Sequence, residues 1–206
     1  MKRSLLSVLA ALPVLAGDFI NLTFDEPDLT GSLTPIFPGG PLQGNSSEIL
    51  RGWSLTVNGQ PQPQMEYAPP GTGGGNQAYL VHNSTVGPEG PYALTLISFF
   101  PGPSDIRVQQ IGTIPADAAG LWIGSAGRVE MFVNGTQVPD PQAGASSRIV
   151  DISAFSGQTV DLGFRVVPGF SARFDIFGFV QVPEPSTWAL FGVGAAAIFC
   201  IGRRKT

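Results

Sequence analysis

The chain has 206 residues and a formal net charge of −4, with 43% hydrophobic residues and one cysteine. Five of its eleven basic residues stand within the first three and the last four positions, so residues 17–182 hold six arginines, no lysine and fourteen acidic residues, a net charge of −8. This balance argues against binding to nucleic acid or to anionic lipid. Because the cysteine is Cys200, the acidic stretch has no disulfide.

The first sixteen residues have the order of a secretory signal peptide. Lys2 and Arg3 precede an apolar run from Leu5 to Leu15, and cleavage is expected after Ala16. An uncleaved membrane helix is the alternative, but an apolar run of eleven residues that contains a proline spans too little of a bilayer. We therefore expect the secretion translocase as a partner, and residues 17–182 as one domain with a sizeable core.

The domain over residues 17–182 consists of short segments rich in β-branched and aromatic residues, separated by Gly, Pro, Asn and Asp. This pattern predicts an all-β fold, an antiparallel β-sandwich of the jelly-roll kind, in which the first and last strands are adjacent. Only 115–119 is expected to form a helical turn. The predicted strands are Phe19–Phe24, Trp53–Val57, Gln64–Tyr67, Ala78–His82, Tyr92–Phe99, Arg107–Ile114, Leu121–Ser125, Arg128–Val133, Arg148–Ile152, Thr159–Val166 and Ala172–Val182.

Two hairpin turns are well marked between these strands. Asn58-Gly59 and Asn134-Gly135 each follow a Val that ends an apolar segment, and type I′ turns need a positive φ at both central residues. Two stretches rich in Pro and Gly, Pro35–Gly44 and Pro69–Gly75, carry no periodicity and are predicted to be surface loops.

Few residues of the domain suggest catalysis or metal binding. His82 is the only histidine, and without a second His or Cys it is expected to be structural. The acids Asp25, Glu26 and Asp28 could join Asp175 in a calcium site, because hard cations bind carboxylate oxygens. The alternative is an acidic turn that is merely solvated.

Aromatic side chains are the remaining indication of a ligand, because sugar rings stack on flat apolar faces. Trp53 and Trp122 are the candidate ligand-binding residues. Both lie in predicted strands, where packing into the core is the more frequent fate of an aromatic side chain.

Several segments of the domain together resemble the galactose-binding-like jelly rolls that often precede a PEP-CTERM sorting signal. The resemblance implies a jelly-roll body and places a structural calcium where first and last strands meet, near Asp25, Glu26 and Asp175. The segments that carry it are Leu22–Pro27, Gly52-Trp53, Val108–Pro115, Val129–Gly135, Val150–Leu162 and Phe174–Ile176.

The last residues, 183–206, begin with Pro183-Glu184-Pro185 and continue into the uncharged stretch Thr187–Gly202. As a helix, those sixteen residues reach about 24 Å, less than the roughly 30 Å of a bilayer core. The basic side chains that follow, Arg203, Arg204 and Lys205, can snorkel to the phosphates and hold the C-terminus in the cytoplasm. A single transmembrane helix with the domain outside is therefore expected.

The order of triplet, short apolar helix and basic end resembles the PEP-CTERM sorting signal of exported bacterial proteins. The resemblance implies an exosortase as partner, which cuts near the triplet and releases or transfers the body. The sorting residues would be Pro183, Glu184, Pro185, Arg203, Arg204 and Lys205. An ordinary C-terminal anchor with a proline-rich neck is the alternative.

Three classes of function remain for the exported domain. The favoured one is a non-catalytic protein of the cell surface or extracellular matrix, in weak or calcium-assisted contact with exopolysaccharide. A carbohydrate-binding module with a defined sugar site shares the fold, and fold does not decide between them. A glycoside hydrolase is the least favoured, because the sequence has no acidic pair in a recognisable setting, although two carboxylates suffice for that reaction. We expect no cofactor other than the calcium.

Overall fold

The computed structural model describes residues 18–181, apart from 32, 71–76, 88–89, 99–103, 141 and 143–144. The predicted signal peptide over 1–16 and the predicted sorting signal over 183–206 lie outside the described residues, as does most of the predicted loop Pro69–Gly75.

The described residues form strands connected by turns, with one four-residue helix and one 3-10 turn. The all-β prediction is therefore confirmed. The elements are β1 (Thr34–Pro35), β2 (Leu42–Asn45), α1 (Ser46–Ile49), β3 (Ser54–Val57), β4 (Gln60–Pro61), β5 (Gln64–Ala68), β6 (Ala78–Gly87), β7 (Gly90–Ile97), β8 (Ile106–Thr113), β9 (Ala118–Gly127), β10 (Val129–Val133), β11 (Thr136–Gln137), β12 (Ser147–Asp151), the 3-10 turn (Ser153–Phe155), β13 (Thr159–Val166) and β14 (Ser171–Gln181).

These strands pair into two sheets that enclose one core, a β-sandwich. The eight-stranded sheet has the order β1-β2-β5-β6-β7-β14-β9-β12, and the six-stranded sheet has the order β11-β10-β13-β8-β3-β4. Neighbouring strands run antiparallel except for β5 and β6, which run parallel. The strand β12 lies at one edge of the eight-stranded sheet, and β13 lies near the middle of the six-stranded sheet.

The core forms because apolar residues alternate with polar ones along the strands. In β13, Val160, Leu162 and Phe164 are at most 1% exposed, and the residues between them point to the opposite face. Trp53 fills the space between the sheets, with its ring 5.2 Å from that of Phe24 and 5.9 Å from that of Phe164. A slip of one residue in β13 would expose its whole apolar face, so the register is strongly specified.

The first predicted strand, Phe19–Phe24, is wrong. The backbone of Ile20 bonds to a side chain instead of to a strand: its N–H donates to Oε1 of Gln110 at 3.0 Å, and its carbonyl accepts from Nε2 at 2.8 Å. Asn21 and Phe24 adopt positive φ values, which close a turn around the indole N–H of Trp53. The predicted adjacency of the first and last strands is wrong as well, because β14 pairs with β7 and β9. The segment 19–24 contacts β14 through side chains, with the rings of Phe19 and Phe179 5.7 Å apart.

The prediction of a loop over Pro35–Gly44 is wrong at both ends, because Pro35 belongs to β1 and Leu42–Gly44 belong to β2. Strand β2 begins at Leu42 and pairs with β5, with Gly44 opposite Met65. At Gly44 a Cβ atom would lie 2.5 Å from the side chain of Leu33, so the glycine lets Leu33 pack closely on β2. Pairing with β5, and not a periodic pattern in the sequence, makes this segment a strand. No helical turn forms over 115–119: the N–H of Ala118 donates to the carbonyl of Pro115 in a tight turn, and β9 begins at Ala118. The short helix α1 was not predicted.

Both predicted Asn-Gly turns are confirmed. Asn58 and Gly59 have φ values of 52° and 74°, and Asn134 and Gly135 have 51° and 75°, as a type I′ turn requires. Oδ1 of Asn134 accepts from the N–H of Asp161 on β13, and Oδ1 of Asn58 accepts from the N–H of Asp105, which directly precedes β8.

A buried ion pair fastens the connection between β11 and β12. The side chains of Arg148 and Asp140 are 1% and 7% exposed, and Nε of Arg148 donates to Oδ2 of Asp140. The same guanidinium donates to Oγ of Ser125 and to the carbonyl of Val129. One arginine therefore joins a surface connection to two strands of different sheets.

Candidate functional site

Trp122 is the sequence-predicted ligand residue that the structure leaves accessible. It lies on β9 at a position that points away from the core, and it is 44% exposed. Its Nε1–H donates to Oγ of Ser147 at 2.7 Å, a bond to the edge strand β12 that fixes the orientation of the indole. An exposed aromatic ring is thus held in place before any ligand arrives.

The surroundings of Trp122 are flat. Its cross-strand partners are Ile149 on β12, which is 55% exposed, and Gly178 on β14. On β9 itself the neighbours on the same face are Gly120 and Gly124, because alternate residues of a strand share a face. A Cβ at Gly120 would lie 2.4 Å from Cγ2 of Ile149, so the isoleucine packs across the glycine.

We name this surface, formed by Trp122, Ile149, Ser147 and Gly120, the Trp122 platform. An indole face beside an aliphatic side chain, with glycines around it, suits stacking against a flat ligand such as a sugar ring. Ser147 and Ile149 were not predicted from the sequence. The available signal was the alternation in the predicted strand Arg148–Ile152, but an isoleucine between an arginine and a valine gives no indication that it points outward.

Trp53, the other candidate, is wrong as a ligand-binding residue. It is 3% exposed, and its Nε1–H donates to the carbonyl of Asn21 at 3.0 Å. With its ring packed between Phe24 and Phe164, it has no face left for a ligand.

The four acids of the predicted calcium site have separate partners. Oδ1 of Asp25 accepts from the N–H of Tyr92 at 3.4 Å, and Glu26 lies 3.6 Å from Arg51 in an exposed ion pair. Asp28 accepts from the backbone and hydroxyl of Thr30, and these hydrogen bonds lower the pKa of its carboxyl.

Asp175 is 4% exposed on β14, and its Oδ1 accepts from the N–H of Ile176. Within the described residues, no three Asp, Glu, His or Cys side chains are grouped as a metal ion would require. The calcium site therefore stays a prediction without a geometric counterpart.

His82 belongs to a cluster of rings with Tyr92 and Tyr67. Its ring meets that of Tyr92 edge to face at 5.0 Å, and the ring of Tyr67 lies 6.3 Å from that of Tyr92. Burial raises the pKa of the Tyr67 hydroxyl, with a smaller contribution from Tyr92. This setting agrees with a structural histidine.

The sorting residues, Pro183 to Pro185 and Arg203 to Lys205, lie outside the described part of the chain. No helix that the structure does describe has the length and apolar character needed to cross a membrane.

Comparison with known proteins supports the C-terminal prediction. Residues 181–205 match the PEP-CTERM protein-sorting motif. The motif indicates an exported protein that an exosortase sorts at the cell envelope, as the order of triplet, apolar stretch and basic end predicted.

No curated protein matches the sequence. Among solved structures, the β-glucosidase from Kluyveromyces marxianus in complex with glucose aligns at 11% identity with a TM-score of 0.32, covering 66% of this chain and 16% of the enzyme. The chain thus spans about a sixth of that enzyme, and the likeness is too low to carry an argument about fold or function.

Proposed function

We propose that the protein is an exported, non-catalytic component of the cell surface or extracellular matrix, and that its β-sandwich contacts exopolysaccharide through the Trp122 platform. The sorting motif at 181–205 supports export. The observation that carries the polysaccharide contact is the exposed indole of Trp122, fixed by Ser147 and flanked by Ile149.

A single stacking ring predicts weak binding. A pair of aromatic rings contributes about 0.5–1.5 kcal/mol beyond its buried area, and we take a sugar ring on one indole to contribute an energy of that order. The association entropy opposes binding. A polymer offers the same ring many times, and many copies of the protein lie on one surface, so avidity compensates for low affinity. This combination suits a matrix component better than a soluble sugar receptor.

Three of the acids of the domain are bound to arginine side chains. Glu130 bonds to Arg165, Asp105 bonds to Arg107, and Asp140 bonds to Arg148. A glycosidase needs two carboxyl groups facing one bond of the substrate, about 5–10 Å apart. Carboxylates that are each neutralised by an arginine are poor candidates for that work.

The test is a pull-down of the full-length protein with exopolysaccharide from its host, with and without a calcium chelator. We expect retention of the wild type and at least about a twofold loss for Trp122→Ala, given the stacking energy above. Phe170→Ala is the matched control, because Phe170 is 48% exposed elsewhere on the surface.

Equal retention of Trp122→Ala and the wild type would overturn the proposed contact. Release of reducing ends from the polysaccharide would overturn the non-catalytic role. Loss of retention in chelator alone would make calcium part of the contact.

A further inference from the structure

The four edges of the two sheets differ in how well they are protected against pairing with a further strand. Three of the edge strands, β1, β4 and β11, have two residues each. Strands β1 and β4 contain Pro35 and Pro61, and Pro139 is the second residue after β11. Short strands and prolines are devices by which natural sheets avoid edge-to-edge association. The fourth edge strand, β12, has five residues, Ser147–Asp151, and no proline or lysine.

The hydrogen bonds beyond the two ends of β12 show which of its backbone groups face β9. The N–H of Ser125 donates to the carbonyl of Ser146, and the N–H of Ile152 donates to the carbonyl of Ala119. In an antiparallel pair, residues that bond to the neighbouring strand alternate with residues that do not. The even-numbered residues of β12 therefore bond to β9, and the odd-numbered residues direct their N–H and carbonyl groups to the other side.

The odd-numbered residues, Ser147, Ile149 and Asp151, form the open edge of the eight-stranded sheet. Their side chains are exposed, that of Ile149 by 55%. Among the described residues, none donates to or accepts from the backbone of these three outside the strand pairing with β9. A regular row of unpaired N–H and carbonyl groups is a template for a further strand.

A second copy of β12 fits this template when it runs antiparallel, with Ile149 opposite Ile149 of the second copy. Ser147 of each copy is then opposite Asp151 of the other. All three outward-directed residues of both strands are paired in this register, and each of these pairs exchanges two hydrogen bonds. A two-fold axis passes between the two Ile149 residues, as a closed dimer of identical chains requires.

Neighbouring registers are less favourable for a symmetric pair. With the axis at Arg148 or at Val150, one outward-directed residue of each copy would pair with Ala145 or with Ser153. The N–H groups of both are already bound within the chain, to the carbonyl of Gln142 and to Oδ1 of Asp151. The axis at Arg148 would also set two arginines directly opposite each other, which is destabilising. The register centred on Ile149 is therefore the one that satisfies the most backbone groups.

The side chains on the open edge complement each other in this register. The two Ile149 side chains meet at the axis, where no charge lies. Oγ of Ser147 accepts from Nε1 of Trp122 at 2.7 Å, so its own hydrogen is available for the Asp151 carboxylate of the second copy. Hydrogen bonds from the backbone and hydroxyl of Ser153 lower the pKa of the Asp151 carboxyl. An ionised acid thus stands opposite a hydroxyl donor and not opposite another acid.

We propose that two copies of the protein associate through β12 as a two-fold symmetric dimer, in which both eight-stranded sheets form one continuous sheet. Trp122 lies directly opposite Ile149, so both indoles stand in one row on the same face. With a strand spacing of about 4.8 Å, three spacings separate them by about 14 Å. The dimer goes beyond the proposed function, since it assigns a partner and requires no ligand.

The first test is disulfide formation between copies of the full-length protein. Ile149→Cys is made with Cys200→Ser, because hydrogen-bonded antiparallel partners have Cα atoms about 5.5 Å apart, within the range of a disulfide. Ile111→Cys is the matched control: Ile111 is also 55% exposed, but it lies on β8, between β13 and β3. We expect Ile149→Cys to form the dimer at least about fivefold faster, because pairing raises the effective concentration of one thiol near the other.

The second test removes the hydrogen bonds at the axis without disturbing the chain itself. The N–H of Ile149 faces away from β9, so Ile149→Pro breaks no bond of the sheet, and proline is tolerated at such edge positions. Sedimentation equilibrium of the full-length protein, in a density-matched detergent with reductant, measures the dissociation constant. A five-residue edge is a small interface, which predicts a weak dimer.

We expect Ile149→Pro to raise the dissociation constant at least about fivefold, since each copy loses a donor at the axis, while the melting temperature stays near that of the wild type. Ile149→Val is the control, because it keeps both the N–H and a branched side chain. Where the proline impairs folding, Ile149→Lys is the decisive variant, since it sets two like charges opposite each other.

Three results would overturn the proposal. One is a wild type that stays monomeric up to about 1 mM, the weak end of the affinity scale. Another is a dimer that Ile149→Pro or Ile149→Lys leaves unchanged, which would place the contact elsewhere in the chain. The third is equal disulfide formation by Ile149→Cys and Ile111→Cys. Each is measured without polysaccharide, so the proposed function is tested separately by the pull-down.

Discussion

Removing one partner of the buried pair Arg148–Asp140 should destabilise the domain more than any surface substitution. In Asp140→Asn the shape is kept, but the guanidinium of Arg148, 1% exposed, loses its counter-charge. Its remaining acceptors are Oγ of Ser125 and carbonyl groups such as that of Val129. Breaking a buried pair from one side typically costs about 3–5 kcal/mol. For a domain of this length, each kcal/mol lowers the melting temperature by about 2–4 °C, so we expect a decrease of roughly 6–20 °C.

The assay is urea unfolding of the full-length protein followed by tryptophan fluorescence. The double variant Arg148→Met/Asp140→Leu should be less destabilised than Asp140→Asn, because no charge is left buried. Glu26→Gln is the control, since its pair with Arg51 spans 3.6 Å with side chains 65% and 58% exposed. Exposed pairs contribute about 0–1 kcal/mol.

A free energy of unfolding for Asp140→Asn within about 1 kcal/mol of the wild type would refute this reasoning, because that is the range of an exposed pair. So would a double variant that is as unstable as the sum of its two single variants.

Three further predictions concern the core, a buried acid and the tail. Trp53→Ala should lower the free energy of unfolding in urea by about 3–5 kcal/mol, as expected for a large aromatic residue deleted from a core, whereas Trp122→Ala should lower it by less than about 1 kcal/mol. Similar losses for both variants would contradict the different burial of the two rings. Desolvation raises the pKa of the Asp161 carboxyl above 3.8, so its contribution to stability is present below that value and is lost as the pH rises through the folded-state pKa. Asp161→Asn should therefore gain stability relative to the wild type between pH 3 and pH 7. Urea midpoints of the two proteins that shift in parallel with pH would contradict the raised pKa. Replacing Pro183-Glu184-Pro185 with alanines should leave a longer, membrane-retained chain by mass spectrometry and fractionation; identical mass and location for both chains would mean that the tail is an ordinary anchor.

The fold class could be read from the sequence because strand alternation and turn chemistry are local properties. Val160, Leu162 and Phe164 alternate with polar residues and a glycine, and all three are buried. The Asn-Gly pairs need no tertiary context to favour positive φ, which the turn at Asn134 confirms. The sorting motif at 181–205 is likewise linear, and its residues can be recognised in order without a fold.

The secondary structure of two segments was predicted wrongly, because interactions with distant residues determine it. Ile20 looks like part of a strand, but the amide of Gln110, ninety positions away, takes both of its backbone hydrogen bonds. Leu42–Asn45 looks like a loop, yet pairing with β5 makes it a strand. Propensity describes what a segment prefers alone, and cross-chain pairing can override it.

The two tryptophans show why the candidate site depended on the tertiary structure. Both lie in predicted strands, but Trp53 points between the sheets and Trp122 points away from them. Which face of a strand becomes the interior depends on the register of the partner strands, and only the assembled sheets determine it.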